Sequence, residues 1–144
     1  MRLTIRTNLA MRTLMYCAVN EGRTVRKRDI AQACGASENH LAQVIHGLAL
    51  AGFVVTLRGR SGGLRLARPA AEVSVGSVVR AFESGVPFAE CMETDGGACP
   101  LHAACRLRCV FAAALQAFYA SLDGVMLAEL VQDNAELADL LRAA

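Results

Sequence analysis

The sequence contains no long apolar run. No uninterrupted stretch of apolar residues approaches the roughly 18 residues of a membrane-spanning helix. Arg2, Arg6 and Arg12 are not followed by the apolar stretch and cleavage site of a secretory signal. The chain has only three Pro and no repeated polar tract, while 54% of its 144 residues are apolar, so its composition does not indicate disorder. We expect a folded, soluble, cytoplasmic protein that contacts no membrane.

Patterns typical of enzymes are also missing. The sequence has no CxxC pair, no nucleotide-binding glycine loop and no set of polar residues that would form a catalytic cleft. The length fits one compact domain, or a small module with an appendage, and excludes a large multidomain enzyme. We therefore predict that the protein is not an enzyme and has no catalytic residues.

Charge is distributed unevenly along the chain. Residues 1–80 contain 12 Arg or Lys against 4 Asp or Glu, a net charge of +8. Residues 81–144 contain 3 against 9, a net charge of −6, which together with the first part gives the formal net charge of +2. A basic first half joined to an acidic second half predicts a surface for a polyanion attached to a part with another role.

Helical periodicity dominates the first fifty residues. Apolar residues at helical spacing predict a first helix over residues 8–19, with Thr7 as a possible N-cap. A helix-turn-helix is predicted at about residues 26–50, where a short helix and a turn precede a third helix over 38–50 that Ser37 caps. The inward stripe of that third helix comprises Leu41, Val44, Ile45 and Leu48.

A β-hairpin over residues 53–67 follows the helix-turn-helix, and its tip is rich in Arg and Gly. This order predicts a winged helix-turn-helix, so we expect a mainly α fold with one small hairpin. We divide the chain into a DNA-binding domain over 1–83, a cysteine-rich loop over 84–105, and a long dimerisation helix with a C-terminal tail over 106–144. A short helix is also expected over 74–83 at the end of the first domain.

The long helix, predicted over about residues 106–122, has apolar residues on more than one narrow face. Such a helix in a small chain commonly packs against its symmetry mate. We therefore expect a homodimer, which suits binding to double-stranded operator DNA with a palindromic sequence.

Polar and basic residues of the helix-turn-helix and the hairpin form the candidate DNA-binding set. Asn and Gln can pair with adenine in the major groove, while Ser and His can reach base edges or phosphates. Arg near a glycine-rich tip can enter the minor groove, and basic residues before the third helix can contact phosphates. The candidates are Lys27, Arg28, Ser37, Asn39, His40, Gln43, Arg58, Arg60 and Arg65. An ordinary solvated helix face is the alternative for the third helix alone.

Four of the six cysteines fall between residues 91 and 109. Thiolates are strong ligands for iron–sulfur clusters and for zinc. The spacings between Cys91, Cys99 and Cys105 are wider than the tight pairs of structural zinc sites, which favours a cluster, although zinc and a metal-free thiol switch stay open. Cys17 and Cys34, on apolar helix faces, are expected to pack as small hydrophobic residues.

Several stretches spread along the chain form a recognisable combination. They are the start Met-Arg-Leu-Thr, Thr7-Asn8, Leu14-Met15-Tyr16, the stretch 36–46, the stretch 58–69 and the cysteines at 91, 99 and 105. In these residues the sequence resembles the Rrf2 family of bacterial winged-helix regulators over essentially its whole length. The resemblance implies a homodimer, an iron–sulfur cluster bound by Cys91, Cys99 and Cys105, and DNA affinity that depends on the state of the cluster.

Within the family, the chain is most similar to repressors that sense nitric oxide, with iron-responsive repressors as the close alternative. This similarity favours a four-iron cluster (4Fe-4S) over a two-iron cluster (2Fe-2S). Members with a four-iron cluster can take their fourth ligand from an Asp of the other subunit, and the matching position here is Asn8, a weak iron ligand. The fourth ligand is therefore Asn8, Cys109 or an exogenous molecule.

The resemblance implies a dimeric repressor whose operator affinity is switched by a cluster that senses nitric oxide. An iron- or redox-responsive repressor of the same family, or a metal-free thiol-gated DNA-binding protein, is the alternative.

Overall fold

The computed structural model describes residues 3–59, 62–93 and 99–142. These residues form seven α-helices and one antiparallel two-stranded sheet. The elements are α1 (Ile5–Val19), α2 (Lys27–Cys34), α3 (Glu38–Leu50), β1 (Val54–Leu57), β2 (Gly63–Leu66), α4 (Val75–Glu83), α5 (Leu107–Asp123), α6 (Leu127–Val131) and α7 (Ala135–Leu141), with 3₁₀ turns at Ala70–Glu72 and Glu90–Met92. This confirms the predicted fold class of a mainly α winged helix-turn-helix with a small hairpin. In the part of the chain that the structure describes, no helix has the length and apolar character needed to cross a membrane.

Helix α1 lies at the centre of the core and contacts α2, α3, α4, α6, α7 and β2. Leu14 and Tyr16 are among its fully buried side chains. Asn20, the buried C-cap residue, donates from Nδ2 to the carbonyl oxygens of Tyr16 and Leu141, each at 2.8 Å, and so attaches α7 to the end of α1. A displacement of α1 would therefore disturb the packing of most of the other helices.

The first helix begins earlier than the sequence predicts. Its N-cap is Thr4, whose hydroxyl oxygen accepts a hydrogen bond from the backbone N–H of Thr7 at 3.2 Å. The proposed cap, Thr7, is instead fully buried within the helix. Apolar periodicity begins only after this turn, which explains the error of about one turn in the predicted start.

Helix α3 has the bounds that its sequence predicts. Ser37 caps it by accepting a hydrogen bond from the backbone N–H of His40 at 3.3 Å. The four residues of the predicted inward stripe, Leu41, Val44, Ile45 and Leu48, are all buried. The bounds of α3 could be predicted from sequence because the N-cap residue and the 3.6-residue spacing of the apolar side chains indicate the same helix.

Helix α5 is held to the rest of the chain by a contact with α4 that we call the α4–α5 clasp, formed by Gly76, Arg80, Tyr119 and Asp123. The Arg80 guanidinium donates two hydrogen bonds of 2.5 Å to the Asp123 carboxylate. It also lies 4.6 Å from the centroid of the Tyr119 ring. The hydrogen bonds from Arg80 lower the pKa of the Asp123 carboxyl below its ordinary value. None of the residues of α5 is fully buried, so the clasp is a major determinant of the direction of the helix.

The segment that follows α5 reinforces the clasp through backbone hydrogen bonds. The Val75 N–H donates to the Val125 carbonyl at 2.9 Å, and the Leu127 N–H donates to the Val73 carbonyl at 2.8 Å. The C-terminal end of α5 is thus fixed beside the start of α4. The N-terminal end of α5 follows directly on the cysteine-rich segment.

Gly76 allows the two helices to approach at the clasp, and this gives the first prediction. A Cβ atom at Gly76 would lie 2.8 Å from the backbone nitrogen of Asp123 and would also meet its carboxylate, so α5 would have to shift. We expect Gly76→Ala to lower the free energy of unfolding by about 1–3 kcal/mol, as measured by urea denaturation. Gly124→Ala is the matched control, because its Cβ would meet only an atom 3.9 Å away. Equal stability of the two variants would contradict this account of the clasp.

Candidate nucleic-acid interface and cysteine segment

The polar side of α3 is the core of the candidate nucleic-acid interface. Asn39 and Gln43, one helical turn apart, are exposed, and His40 beside them is half-buried. His46 continues the exposed side by almost one further turn, and the sequence analysis missed it. The 3.6-residue period that placed Asn39 and Gln43 outside could also have identified His46.

The start of α2 supplies the positive charge in front of α3. Arg28 is exposed, as expected of a phosphate contact. Lys27 forms an ion pair with Glu38 in the first turn of α3, with its Nζ atom 3.2 Å from the carboxylate. Both side chains of the pair are partly exposed, so Lys27 fixes the two helices together while it remains close to solvent. Arg26, the exposed N-cap of α2, is a further basic residue at this end that the candidate set omitted.

The hairpin that follows α3 is attached to the helical unit through Val25. The Val25 N–H donates to the Leu64 carbonyl at 2.9 Å, and the Leu64 N–H donates to the Val25 carbonyl at 2.8 Å. A Cβ atom at Gly63 would lie 2.8 Å from the Cγ2 atom of Thr24 and still closer to the Val25 carbonyl. Gly63 is therefore required for contacts within the chain, in addition to any role at a DNA backbone.

Two of the three arginines predicted for the hairpin can be placed. Arg58 follows β1 and Arg65 lies within β2, opposite Val55, and both are exposed. Arg60 lies outside the described residues. Exposed arginine side chains and exposed amide side chains are of the kinds that contact phosphates and base edges.

The cysteine segment, residues 84–109, connects α4 to the first turn of α5. Cys91 lies in a 3₁₀ turn, Cys99 and Cys105 lie in the turns before α5, and all three are half-buried. Cys109 is exposed in the first turn of α5. All four are free thiols. The sequence predicted that residues 84–104 form a loop, and residues 94–98 of that range lie outside the described residues.

The donor chemistry of this segment fits an iron–sulfur cluster. Three free, half-buried thiols near one another in the chain are suitable soft ligands. Among the described residues, however, no group of three or more His, Cys, Asp or Glu side chains is arranged to hold a metal ion. A nearby donor that sequence analysis missed is His102, whose buried Nε2 atom has no hydrogen-bond partner within the described residues.

The remaining two cysteines lie elsewhere and have a different environment. Burial raises the pKa of the Cys17 thiol to about 12, and it also raises the pKa of Cys34. Both thiols therefore stay protonated at neutral pH and are poor metal ligands. This environment agrees with the packing role predicted for them.

Asn8, a candidate fourth ligand, lies on α1 near the helix-turn-helix. With Arg12 it lines a hollow of about 300 Å³ whose opposite wall includes Ser37 and His40 of the third helix and its cap. The Nδ2 atom of Asn8 donates to the Thr4 carbonyl at 3.3 Å. A ligand bound to Asn8 would therefore lie close to the start of the candidate recognition helix.

Comparison with known proteins identifies the group of proteins to which this fold and these residues correspond. The family described as Rrf2, iron-dependent transcriptional regulator, matches residues 3–133. The chain is 41% identical over 143 residues to the HTH-type transcriptional regulator NsrR of Geobacillus kaustophilus, covering 99% of this chain and 97% of the relative. It is 43% identical over 141 residues to Protein aau3 of Rhizobium meliloti, covering 98% of this chain and 92% of the relative.

A solved structure supports the same assignment. The fold is similar to that of IscR of T. potens, with a TM-score of 0.70 and 25% identity over 94% of this chain and 90% of that one. The names of the family and of NsrR indicate a transcriptional regulator and not an enzyme.

The exposed amide of Gln43 gives the second prediction. Because an amide reads bases and carries no charge, Gln43→Ala should reduce discrimination between operator and scrambled DNA by about 1–3 kcal/mol. Arg65→Ala should instead weaken binding to both duplexes and lower the slope of log affinity against log salt by about 1. Both are measured by fluorescence anisotropy at several salt concentrations, with Gln32→Ala, exposed on α2, as the control. A uniform loss for Gln43→Ala would show that it contacts only the backbone.

Proposed function

The chain belongs to the Rrf2 family of transcriptional regulators, and we propose that it is a dimeric repressor whose affinity for operator DNA depends on an iron–sulfur cluster held by Cys91, Cys99 and Cys105. It is a DNA-binding regulator by family. The observation that carries the proposal is the set of three free, half-buried thiols between α4 and the start of α5, in a chain whose family is described as iron-dependent. Nitric oxide is the proposed signal because the sequence resembles the nitric-oxide-sensing repressors of the family, and the chain is similar to the regulator NsrR over nearly its whole length.

The cysteines act in this proposal by ordering the segment that carries them. When bound, the cluster supplies iron that reacts with nitric oxide and that is lost when iron is scarce. The thiolates of Cys91, Cys99 and Cys105, when bound to one cluster, would connect the 3₁₀ turn to the turns before α5. Residues 88–106 would then be held against the DNA-binding unit. Loss of this tie would shift the population towards dimers in which the recognition helices have a different spacing.

The apolar surface of α5 supports the dimer. Besides the side that contacts α4, the helix has an exposed row at spacings of three and four residues, which we call the α5 seam and which comprises Leu107, Val110, Ala114, Ala117 and Ser121. Leu107 and Val110 are 51% and 60% exposed. The seam follows the a/d pattern of paired helices, and its small residues would allow close approach. A second copy of the chain is its proposed occupant.

Iron supply is the second candidate signal. The family description names iron dependence, and Asn8 stands where an acidic ligand is found in some nitric-oxide sensors. With a weak fourth ligand, one iron would be more easily lost when iron is scarce. The two candidates differ in the signal and share the cysteine ligands.

Replacement of single cysteines gives the third prediction. Cys91→Ala, Cys99→Ala and Cys105→Ala should each abolish the broad absorption near 400 nm of protein reconstituted anaerobically with iron and sulfide, because two thiolates retain a cluster poorly. The controls Cys17→Ala and Cys34→Ala should keep the absorption. Loss of the absorption in Cys109→Ala or in Asn8→Ala would identify that residue as the fourth ligand. Full absorption in Cys99→Ala would refute the assignment.

A charge placed in the α5 seam gives the fourth prediction. Ala117→Glu should convert the dimer to a monomer in sedimentation velocity, because each copy would bury a carboxylate in the apolar seam. Gln116→Glu adds the same charge at an exposed position on another side of α5 and should leave the dimer intact. A dimer in both variants would place the interface elsewhere.

A further inference from the structure

The carboxylate of Glu83 joins two parts of the chain that are about eighty residues apart in sequence. Its Oε1 atom accepts hydrogen bonds from the Thr4 backbone N–H at 2.8 Å and from the Thr4 hydroxyl at 2.9 Å. The same oxygen accepts a third hydrogen bond from the buried Thr7 hydroxyl. We call Glu83, Thr4 and Thr7 the α1–α4 latch.

The latch determines how α1 begins. Thr4 is the N-cap of the helix and its hydroxyl oxygen accepts from the Thr7 N–H, so Glu83 orients the residue that caps the helix. Partial burial opposes ionisation of Glu83, but the hydrogen bonds from Thr7 and Thr4 outweigh it and lower the pKa of the carboxyl. Glu83 is therefore ionised at neutral pH and is a strong acceptor.

On its other side, Glu83 contacts the start of the cysteine segment. It is the last residue of α4 and lies eight positions before Cys91. With Leu3 it lines a cavity of about 380 Å³ whose other walls are residues 86–89 of the cysteine segment and the inner side of α5. Phe88 in that wall packs edge to face on Phe111 of α5, with ring centroids 5.6 Å apart. A change in the backbone path of the cysteine segment would therefore alter the surroundings of the Glu83 side chain.

Helix α1 connects the latch to the recognition helix. Asn8, one turn after Thr4, donates to the Thr4 carbonyl, and the hollow beside Asn8 is bounded by Ser37 and His40. Helix α1 also packs directly on α3. The start of α1 therefore lies between the cysteine segment and the N-terminal end of α3.

We propose that Glu83 is a positioning residue that transmits the state of the cysteine segment through Thr4 and Thr7 to the start of α1 and hence to α3. This inference rests on the proposed function, since it names the connection between the cysteine segment and the DNA-binding surface. Order in the segment fixes the end of α4 and keeps the latch closed. Disorder in the segment opens the latch and frees the first turn of α1.

The test compares operator affinity with and without the cluster. For anaerobically reconstituted and cluster-free wild-type protein, the ratio of the two operator Kd values measures the coupling, which in allosteric proteins is typically about 5–150-fold. In Glu83→Ala we expect the absorption near 400 nm to be retained and the ratio to fall close to one. Glu83→Gln, which keeps an acceptor oxygen at the same place, should restore most of the ratio. Glu72→Ala, an exposed carboxylate in another turn, should behave as wild type.

Thr7→Val provides the second variant, because it removes one hydrogen bond of the latch and keeps the shape of the side chain. It should lower the ratio part of the way, even if Glu83→Ala does not fold. A merely structural role would weaken binding equally in both states and leave the ratio unchanged. That result in Glu83→Ala, or in Thr7→Val if Glu83→Ala does not fold, would overturn the proposal. If wild-type protein binds no cluster or has a ratio of one, the proposed function fails and the inference fails with it. A wild-type ratio above one with unchanged ratios in Glu83→Ala and Thr7→Val refutes the latch alone.

Discussion

The bidentate ion pair between Arg80 and Asp123 constrains helix α5, the element on which the proposed dimer depends. No residue of α5 is fully buried, so this contact and the half-buried packing of the helix against α4 together set its direction. The ion pair, the Tyr119 ring and the missing side chain at Gly76 fix one end of α5 against α4. The N-terminal end of α5 follows the cysteine segment, and the residues of the α5 seam are exposed. In the proposed dimer, cluster ligands at one end of α5 and a fixed contact at the other would allow the helix to carry a local change to the interface.

Helix α1 has the complementary role in the DNA-binding unit. It packs against both α3 and α4, so the surface that faces DNA and the helix that leads into the cysteine segment share one buried element. Interiors are close-packed, and a shift at the start of α1 therefore cannot be absorbed without movement of its neighbours. The Glu83 carboxylate lies where this element meets the segment. Under the proposed function, this arrangement would connect the cysteine segment to the recognition helix within one compact unit.

The sequence predicts those elements whose signals are local. Ser37 and the stripe from Leu41 to Leu48 give α3 its correct bounds, and alternating residues around an Arg- and Gly-rich tip give the hairpin. The start of α1 was predicted about one turn late because apolar periodicity begins only after its first turn, and the contact of Thr4 with Glu83, far away in sequence, could not be seen. The α4–α5 clasp could not be predicted either, because Arg80 and Asp123 are far apart in sequence. The ligand set of Cys91, Cys99 and Cys105 stays a prediction from the sequence, because the relative positions of these side chains depend on contacts outside one short segment.

The central claim is that the state of the cysteine-bound cluster sets operator affinity. The most direct measurement follows both in one anaerobic cuvette, recording absorbance near 400 nm and the fluorescence anisotropy of a labelled operator while nitric oxide is added stepwise to reconstituted wild-type protein. The account predicts that absorbance is lost and the operator is released over the same additions of nitric oxide. Complete loss of absorbance with the operator still bound would contradict it.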